Sequence, residues 1–196
     1  MTAVATSIRL QVTPPVQYVL RIADTCLIHA QRLAEWCGHG PVLEEDIALT
    51  NMALDLVGQA RALLTHAGRL ERQGREDAFD EDQLAFLRDE RQYFNLTLAE
   101  QPMRRSSAHA PGGDFADTVL RNFLLASWFK ALWTRLAASA DSELAAIAGK
   151  AVKEARYHQQ HAGDWVVRLG DGTDESAARL RAALERAWPY THEMFT

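Results

Sequence analysis

Histidine and acidic side chains are the residues of this sequence with the clearest capacity for metal chemistry. A carboxylate and an imidazole three residues apart on a helix share one face and can hold the same metal pair. Three residues before the seven histidines stand Cys26, Trp36, Leu63, Ser106, Ala155, His158 and Pro189. The sequence therefore contains no Glu-x-x-His or Asp-x-x-His motif, and a helical metal site built on two such motifs is not expected.

Three polar residues nevertheless occur where apolar helices would pack. Asp55 lies within an apolar run, His158 lies on an apolar stripe at helical spacing, and Glu35 closes the first predicted helix. Each has an ordinary structural interpretation, since a buried Asp or His is usually hydrogen-bonded and a Glu near a helix end often faces solvent. The alternative hypothesis is that Glu35, Asp55 and His158 form a metal-free polar cluster.

Six helices are predicted to position these residues. Their approximate bounds are 15–36, 43–70, 82–98, 114–138, 141–169 and 173–188. Asp114, Asp141 and Thr173 are typical N-cap residues, and no strand or hairpin pattern competes. Four long helices with a long crossover after the second predict an all-α, ferritin-like four-helix bundle with additional helices. The helix at 82–98 would belong to the crossover.

Composition restricts the class of protein. The 196 residues predict a single helical domain over 1–196, with 1–14 flexible and 103–113 a mobile loop. A net charge of −5 argues against nucleic acid as partner. No segment reaches the roughly 20 apolar residues of a membrane helix, and no secretory signal is recognised, so a cytoplasmic protein is expected. Cys26 and Cys37, roughly 16 Å apart on one predicted helix, are predicted to be free, buried thiols.

Several blocks of sequence carry a family resemblance. They are RLAEWCGHGP (32–41), LDLVGQAR (54–61), FLRDERQYFNL (86–96), GDFADT (113–118), AVKEARYHQQ (151–160) and RLGDGTDES (168–176). Through them the chain resembles the C subunits of bacterial phenylacetyl-CoA ring 1,2-epoxidases over about residues 17–196. The family pattern continues past residue 196, so the resemblance implies that a C-terminal segment of the family is absent here.

The resemblance implies a division of labour between subunits. A catalytic subunit of related fold holds the di-iron centre, and the C subunit pairs with it and supports it. Further small and reductase subunits complete the complex, which acts on a coenzyme A thioester in aerobic phenylacetate degradation. No cofactor is expected in this subunit, and no membrane or nucleic acid is expected as partner.

The resemblance allows the metal-ligand positions of the catalytic subunit to be matched, motif by motif, to residues of this chain. Glu35, Asp55 and His158 stand at ligand positions, whereas the other three positions are occupied by Gly58, Ala126 and Ala155. The resemblance thus implies a non-catalytic structural subunit with no catalytic or metal-binding residues, and no residue is assigned to substrate binding. Trp128, Trp133 and Trp165 are candidates for the subunit interface or for the core. Two alternatives remain open, a di-iron oxygenase in its own right and a generic helical scaffold protein.

Overall fold

Four long helices dominate the computed structural model, which describes residues 7–72, 78–102 and 114–196. No strand occurs in these ranges. The helices in chain order are α1 (Pro14–Ala34), α2 (Leu43–Glu71), α3 (Glu81–Phe86), α4 (Thr97–Glu100), α5 (Phe115–Leu136), α6 (Ser142–Gly170) and α7 (Asp174–Ala187), with 3-10 helices at Glu90–Gln92 and Trp188–Phe195. The all-α helical bundle predicted from the sequence is confirmed.

Local capping explains where the later helices begin. The Asp114 carboxylate accepts a hydrogen bond from the Ala116 N–H, and Asp141 accepts from the N–H groups of Glu143 and Leu144. Thr173 caps α7 in the same way. These bonds satisfy N–H groups that have no partner within the helix, and the three predicted caps are confirmed.

The core is built mainly from the four long helices. α1 packs on α2, α5 packs on α6, and α2 also contacts α6. Trp133 is fully buried, and the partly buried Trp128 donates from its indole nitrogen to the Met194 carbonyl at 2.9 Å. Trp165 packs edge-on against Phe115. Trp133 is therefore a core residue and Trp128 packs against the core, whereas Trp165 is half-buried, and an interface role for Trp128 and Trp165 stays a prediction.

The crossover between α2 and α5 corrects one prediction. The helix expected at 82–98 is broken into α3, one 3-10 turn and α4. The break lets the backbone N–H of Phe94 donate to Asp24 at 2.9 Å and that of Leu96 donate to Thr25 at 3.1 Å. Because these N–H groups bond to α1, they are not available for a continuous helix.

The end of α1 corrects a second prediction. The helix ends at Ala34, so Cys37 lies in the turn that follows and is exposed, whereas Cys26 is buried. Trp36 folds back into the core and donates to the Thr118 hydroxyl at 2.9 Å. Only one of the two free thiols is therefore buried.

The predicted mobile segments fall partly outside the described ranges. Residues 1–6 and the predicted loop 103–113 are not among the described residues. Ile8, within the start predicted to be flexible, is buried, and its N–H donates to the Leu87 carbonyl at 3.1 Å. Across the described part of the chain, no helix is both long and apolar enough to cross a membrane.

Candidate functional site

Asp55 on α2 and His158 on α6 meet across the bundle. The His158 Nε2 lies 3.1 Å from the Asp55 Oδ2. The histidine side chain is 3% exposed, but the carboxylate is 40% exposed. The pair therefore joins a buried imidazole to an acid that still reaches solvent.

The protonation of His158 follows from its burial. Burial lowers the pKa of the imidazole, and hydrogen bonding and charge from Asp55 act in the opposite direction. A lowered pKa favours the neutral ring at pH 7. In this state the Nε2–H donates to the Asp55 carboxylate, which is a structural hydrogen bond and needs no metal.

Glu35 is not part of this pair. It is the residue after the last turn of α1, and its carboxylate pairs with Arg32 one turn earlier. The Arg32 guanidinium also donates to the Glu100 carbonyl in α4. The structure thus brings together two of the three predicted cluster residues and places Glu35 in a half-exposed ion pair at the end of the helix.

The remaining transferred positions offer no ligand atoms. Ala126 and Ala155 are buried at 3% and 2% exposure, and a Cβ built on Gly58 would meet nothing within 4 Å. Glycine and alanine side chains cannot coordinate a metal, and Glu35 points to Arg32 instead. Within the described ranges, no group of three or more His, Cys, Asp or Glu is arranged to hold a metal ion. The residues present do not fit a di-iron centre.

A groove runs beside the Asp55–His158 pair, between α2 and α6. It encloses about 350 Å³ and is lined by Gly58, Gln59, Ala62, Ile147, Ala151 and Glu154, among others. The Gln59 amide donates to the Glu154 carboxylate at 2.9 Å, and Cys26 lies 3.7 Å from the Gln59 oxygen. The groove therefore lies at the surface between α2 and α6, with the Gln59–Glu154 hydrogen bond crossing it.

Sequence reasoning missed a buried polar pair that joins α1 to α5. His29 on α1 is 1% exposed, and its Nε2 is 3.1 Å from the Asn122 Oδ1 on α5. The Asn122 amide in turn lies 3.4 Å from the Met52 sulfur. Burial and the charge of Arg121 lower the pKa of His29 to about 3. The available signal was spacing, because His29 follows Ile22 and Cys26 on the buried stripe of α1.

Comparison with known proteins places this chain in a family. The sequence matches the family described as phenylacetic acid catabolic protein over residues 1–196. It is also 49% identical over 178 residues to the C subunit of the 1,2-phenylacetyl-CoA epoxidase of Escherichia coli (strain K12). This alignment covers 91% of the chain and 66% of the relative, so the chain spans just under two thirds of that protein's length. With its whole length matched, the chain belongs to the phenylacetic acid catabolic protein family.

Proposed function

We propose that this chain is the non-catalytic C subunit of a phenylacetyl-CoA epoxidase, which pairs with and supports a related catalytic subunit that holds the di-iron centre. The observation that carries the proposal is the replacement of three transferred ligand positions by Gly58, Ala126 and Ala155 in a chain 49% identical to the C subunit of such an epoxidase. Further small and reductase subunits would complete the complex. The cytoplasmic location stays a prediction from the sequence.

The Asp55–His158 pair has a structural role in this proposal. A buried imidazole bonded to a half-exposed carboxylate links α2 to α6. In the proposal, the epoxidation itself takes place in the catalytic subunit. No cofactor is assigned to this subunit. The alternative of a self-sufficient oxygenase would require metal ligands that these side chains do not provide.

Reconstitution with the catalytic subunit tests the proposal. His158→Gln keeps a side-chain donor for Asp55 but removes the imidazole. We expect the variant to bind the catalytic subunit and to support oxygen- and NADPH-dependent turnover of phenylacetyl-CoA within about twofold of wild type. A twofold change in rate corresponds to less than about 0.5 kcal/mol of activation free energy. As the matched control, replacement of a ligand histidine in the catalytic subunit should abolish turnover.

Iron content separates the alternatives. After loading with ferrous ion, the isolated chain should contain far less than one iron per chain by elemental analysis, and the catalytic subunit should contain about two, as a di-iron centre requires. Stoichiometric iron in this chain with turnover in the absence of a partner would establish an oxygenase in its own right. Failure to associate with any epoxidase subunit would instead favour a scaffold protein.

A further inference from the structure

The outward face of α2 is apolar, although a helix on the surface of a globular protein usually turns polar side chains to solvent. Leu43, Ile47, Leu54 and Val57 are between 44% and 72% exposed. The opposite face of α2 lies in the hydrophobic core. A row of large exposed aliphatic side chains along one helix indicates a surface that another protein covers.

The exposed residues of this face follow the spacing of a coiled coil. They recur at alternating intervals of three and four residues, which is the spacing of the a and d positions of a heptad. Every residue of the row is exposed, and the row extends over about 26 Å of helix at 1.5 Å per residue. This row, the α2 seam, consists of Glu44, Ile47, Asn51, Leu54, Gly58 and Arg61.

The two ends of the α2 seam carry opposite charges. Glu44 is exposed, and the Arg61 side chain is 74% exposed. Arg61 donates from Nε to Glu81 at 2.8 Å, which uses one of the five N–H groups of a guanidinium. In an antiparallel pair of α2 helices related by a two-fold axis, Glu44 of each copy faces Arg61 of the other. A parallel pair would place like charges together, so the charges favour the antiparallel arrangement.

The middle of the α2 seam fits the same two-fold axis. Because Glu44 and Arg61 are centred between residues 52 and 53, this axis also sets Ile47 opposite Gly58 and Asn51 opposite Leu54. A Cβ built on Gly58 would meet nothing within 4 Å, so space is free there for the Ile47 side chain of a second copy. Each layer then pairs a larger side chain with a smaller one, which allows two helices to interdigitate.

We propose that two copies of this chain pair through the α2 seam in an antiparallel dimer with two-fold symmetry. The occupant is a second copy and not the catalytic subunit, because complementarity of a seam to its own reversed copy serves an identical partner. One helix pair of this length buries less than the roughly 1,600 Å² of a standard interface. A dissociation constant on the order of 10 µM is therefore expected.

Sedimentation equilibrium of the full chain, at concentrations from about tenfold below to about tenfold above this dissociation constant, tests the dimer. Wild type should change from monomer to dimer across the range. Glu44→Arg places like charges at both ends of the seam and should weaken dimerisation by about tenfold. The double variant Glu44→Arg with Arg61→Glu restores opposite charges, and its dissociation constant should return to within about threefold of wild type. The matched control Arg181→Glu, at an exposed arginine of α7, should not change dimerisation.

Leu54→Glu provides a second arm that leaves both charged ends unaltered. Leu54 is exposed in the single chain, so the variant should fold as wild type does, yet it should stay monomeric over the whole concentration range. Circular dichroism verifies the folding of each variant, and if the double variant does not fold, Glu44→Arg and Leu54→Glu decide.

Three results would overturn the proposal: a wild-type chain that is monomeric at the highest concentration, unchanged dimerisation in folded Leu54→Glu or Glu44→Arg, or no recovery in the folded double variant. A monomeric wild type whose Leu54→Glu variant no longer binds the catalytic subunit would assign the α2 seam to that subunit instead. The dimer is measured on the chain alone, so its absence would leave the function proposed above intact.

Discussion

Two of the contacts between an acidic and a basic side chain that link distant parts of this chain are built very differently. Asp24 and Arg88 join α1 to the crossover with both side chains 0% exposed. Asp55 and His158 join α2 to α6 with the carboxylate 40% exposed and a groove beside it. The first contact is sealed and the second is open, and the two should differ accordingly in their contribution to stability.

The Asp24–Arg88 contact satisfies almost every polar atom that it buries. The Arg88 Nη1 lies 3.0 Å from Asp24 and 3.1 Å from the Gln92 carbonyl. The guanidinium also stacks on the Tyr93 ring at 4.2 Å, and the Phe94 N–H donates to the same carboxylate. A buried ion pair is stable only with such additional bonds. Of the two contacts, the one at the crossover is therefore more buried and more completely hydrogen-bonded than the one at the transferred ligand positions.

Arg88→Ala should have the largest effect. It leaves the Asp24 carboxylate buried and unpaired, which costs about 3–5 kcal/mol when a buried pair is broken. The free energy of unfolding from urea denaturation measures the loss. Arg69→Ala, which breaks the exposed pair of Arg69 with Glu143, should cost less than about 1 kcal/mol. Similar losses of unfolding free energy in the two variants would contradict a larger contribution of the buried crossover pair than of an exposed pair.

His158→Ala should have a smaller effect. It removes a buried hydrogen bond and leaves a cavity, a loss of about 2–3 kcal/mol. Asp55→Ala should cost less, about 1 kcal/mol, because His158 then loses one bond while the exposed acid contributes little on its own. The control His39→Ala lies at an exposed position. A melting temperature of His158→Ala equal to that of wild type would contradict a structural role for the pair.

Acid should destabilise the folded chain through its buried histidines, His29 in the core and His158 in the open contact. The pKa of His29 is lowered to about 3 and that of His158 is also lowered, in both cases mainly by burial. The unfolded chain therefore binds more protons below its histidine pKa of about 6.5, so the stability contribution is present above that pH and is lost towards the folded pKa. Between pH 6.5 and 5, His29 alone should account for a loss of about 2 kcal/mol.

His29→Gln isolates this term, because glutamine can still donate to Asn122 and does not titrate. The difference in unfolding free energy between wild type and His29→Gln should shift against wild type as the pH falls from 6.5 to 5. Parallel pH curves for the two proteins would show that His29 does not titrate on unfolding in this range.

Local signals in the sequence were sufficient for some of these features. The caps at Asp114, Asp141 and Thr173 depend on side chains that bond to N–H groups within three residues, so they can be predicted without tertiary information. The contact of His158 with Asp55 follows from two polar residues on facing apolar helices. These are the features for which local preference and global packing agree.

Other features depended on contacts that no local pattern encodes. Residues 82–98 have helical periodicity, but the backbone of Phe94 and Leu96 bonds to α1 instead. Glu35 matched a ligand motif, yet α1 ends one residue before it and Arg32 takes its carboxylate. Tertiary hydrogen bonds outweighed propensity at the crossover, and a shift of the helix end by two residues redirected the glutamate.

The smallest expected change in stability comes from two glycines of α2, one beside the open groove and one against the crossover. A Cβ on Gly58, beside the open groove, would meet nothing within 4 Å, but on Gly68, against the crossover, it would lie 2.0 Å from the Phe79 carbonyl. Both glycines lie inside α2, where glycine costs about 0.5–1 kcal/mol relative to alanine. Gly58→Ala should therefore raise the unfolding free energy of the isolated chain by about that amount, as should the control Gly149→Ala in α6, whereas Gly68→Ala should lower it. A loss of stability in Gly58→Ala alongside a gain in Gly149→Ala would mean that the groove side is packed as closely as the crossover.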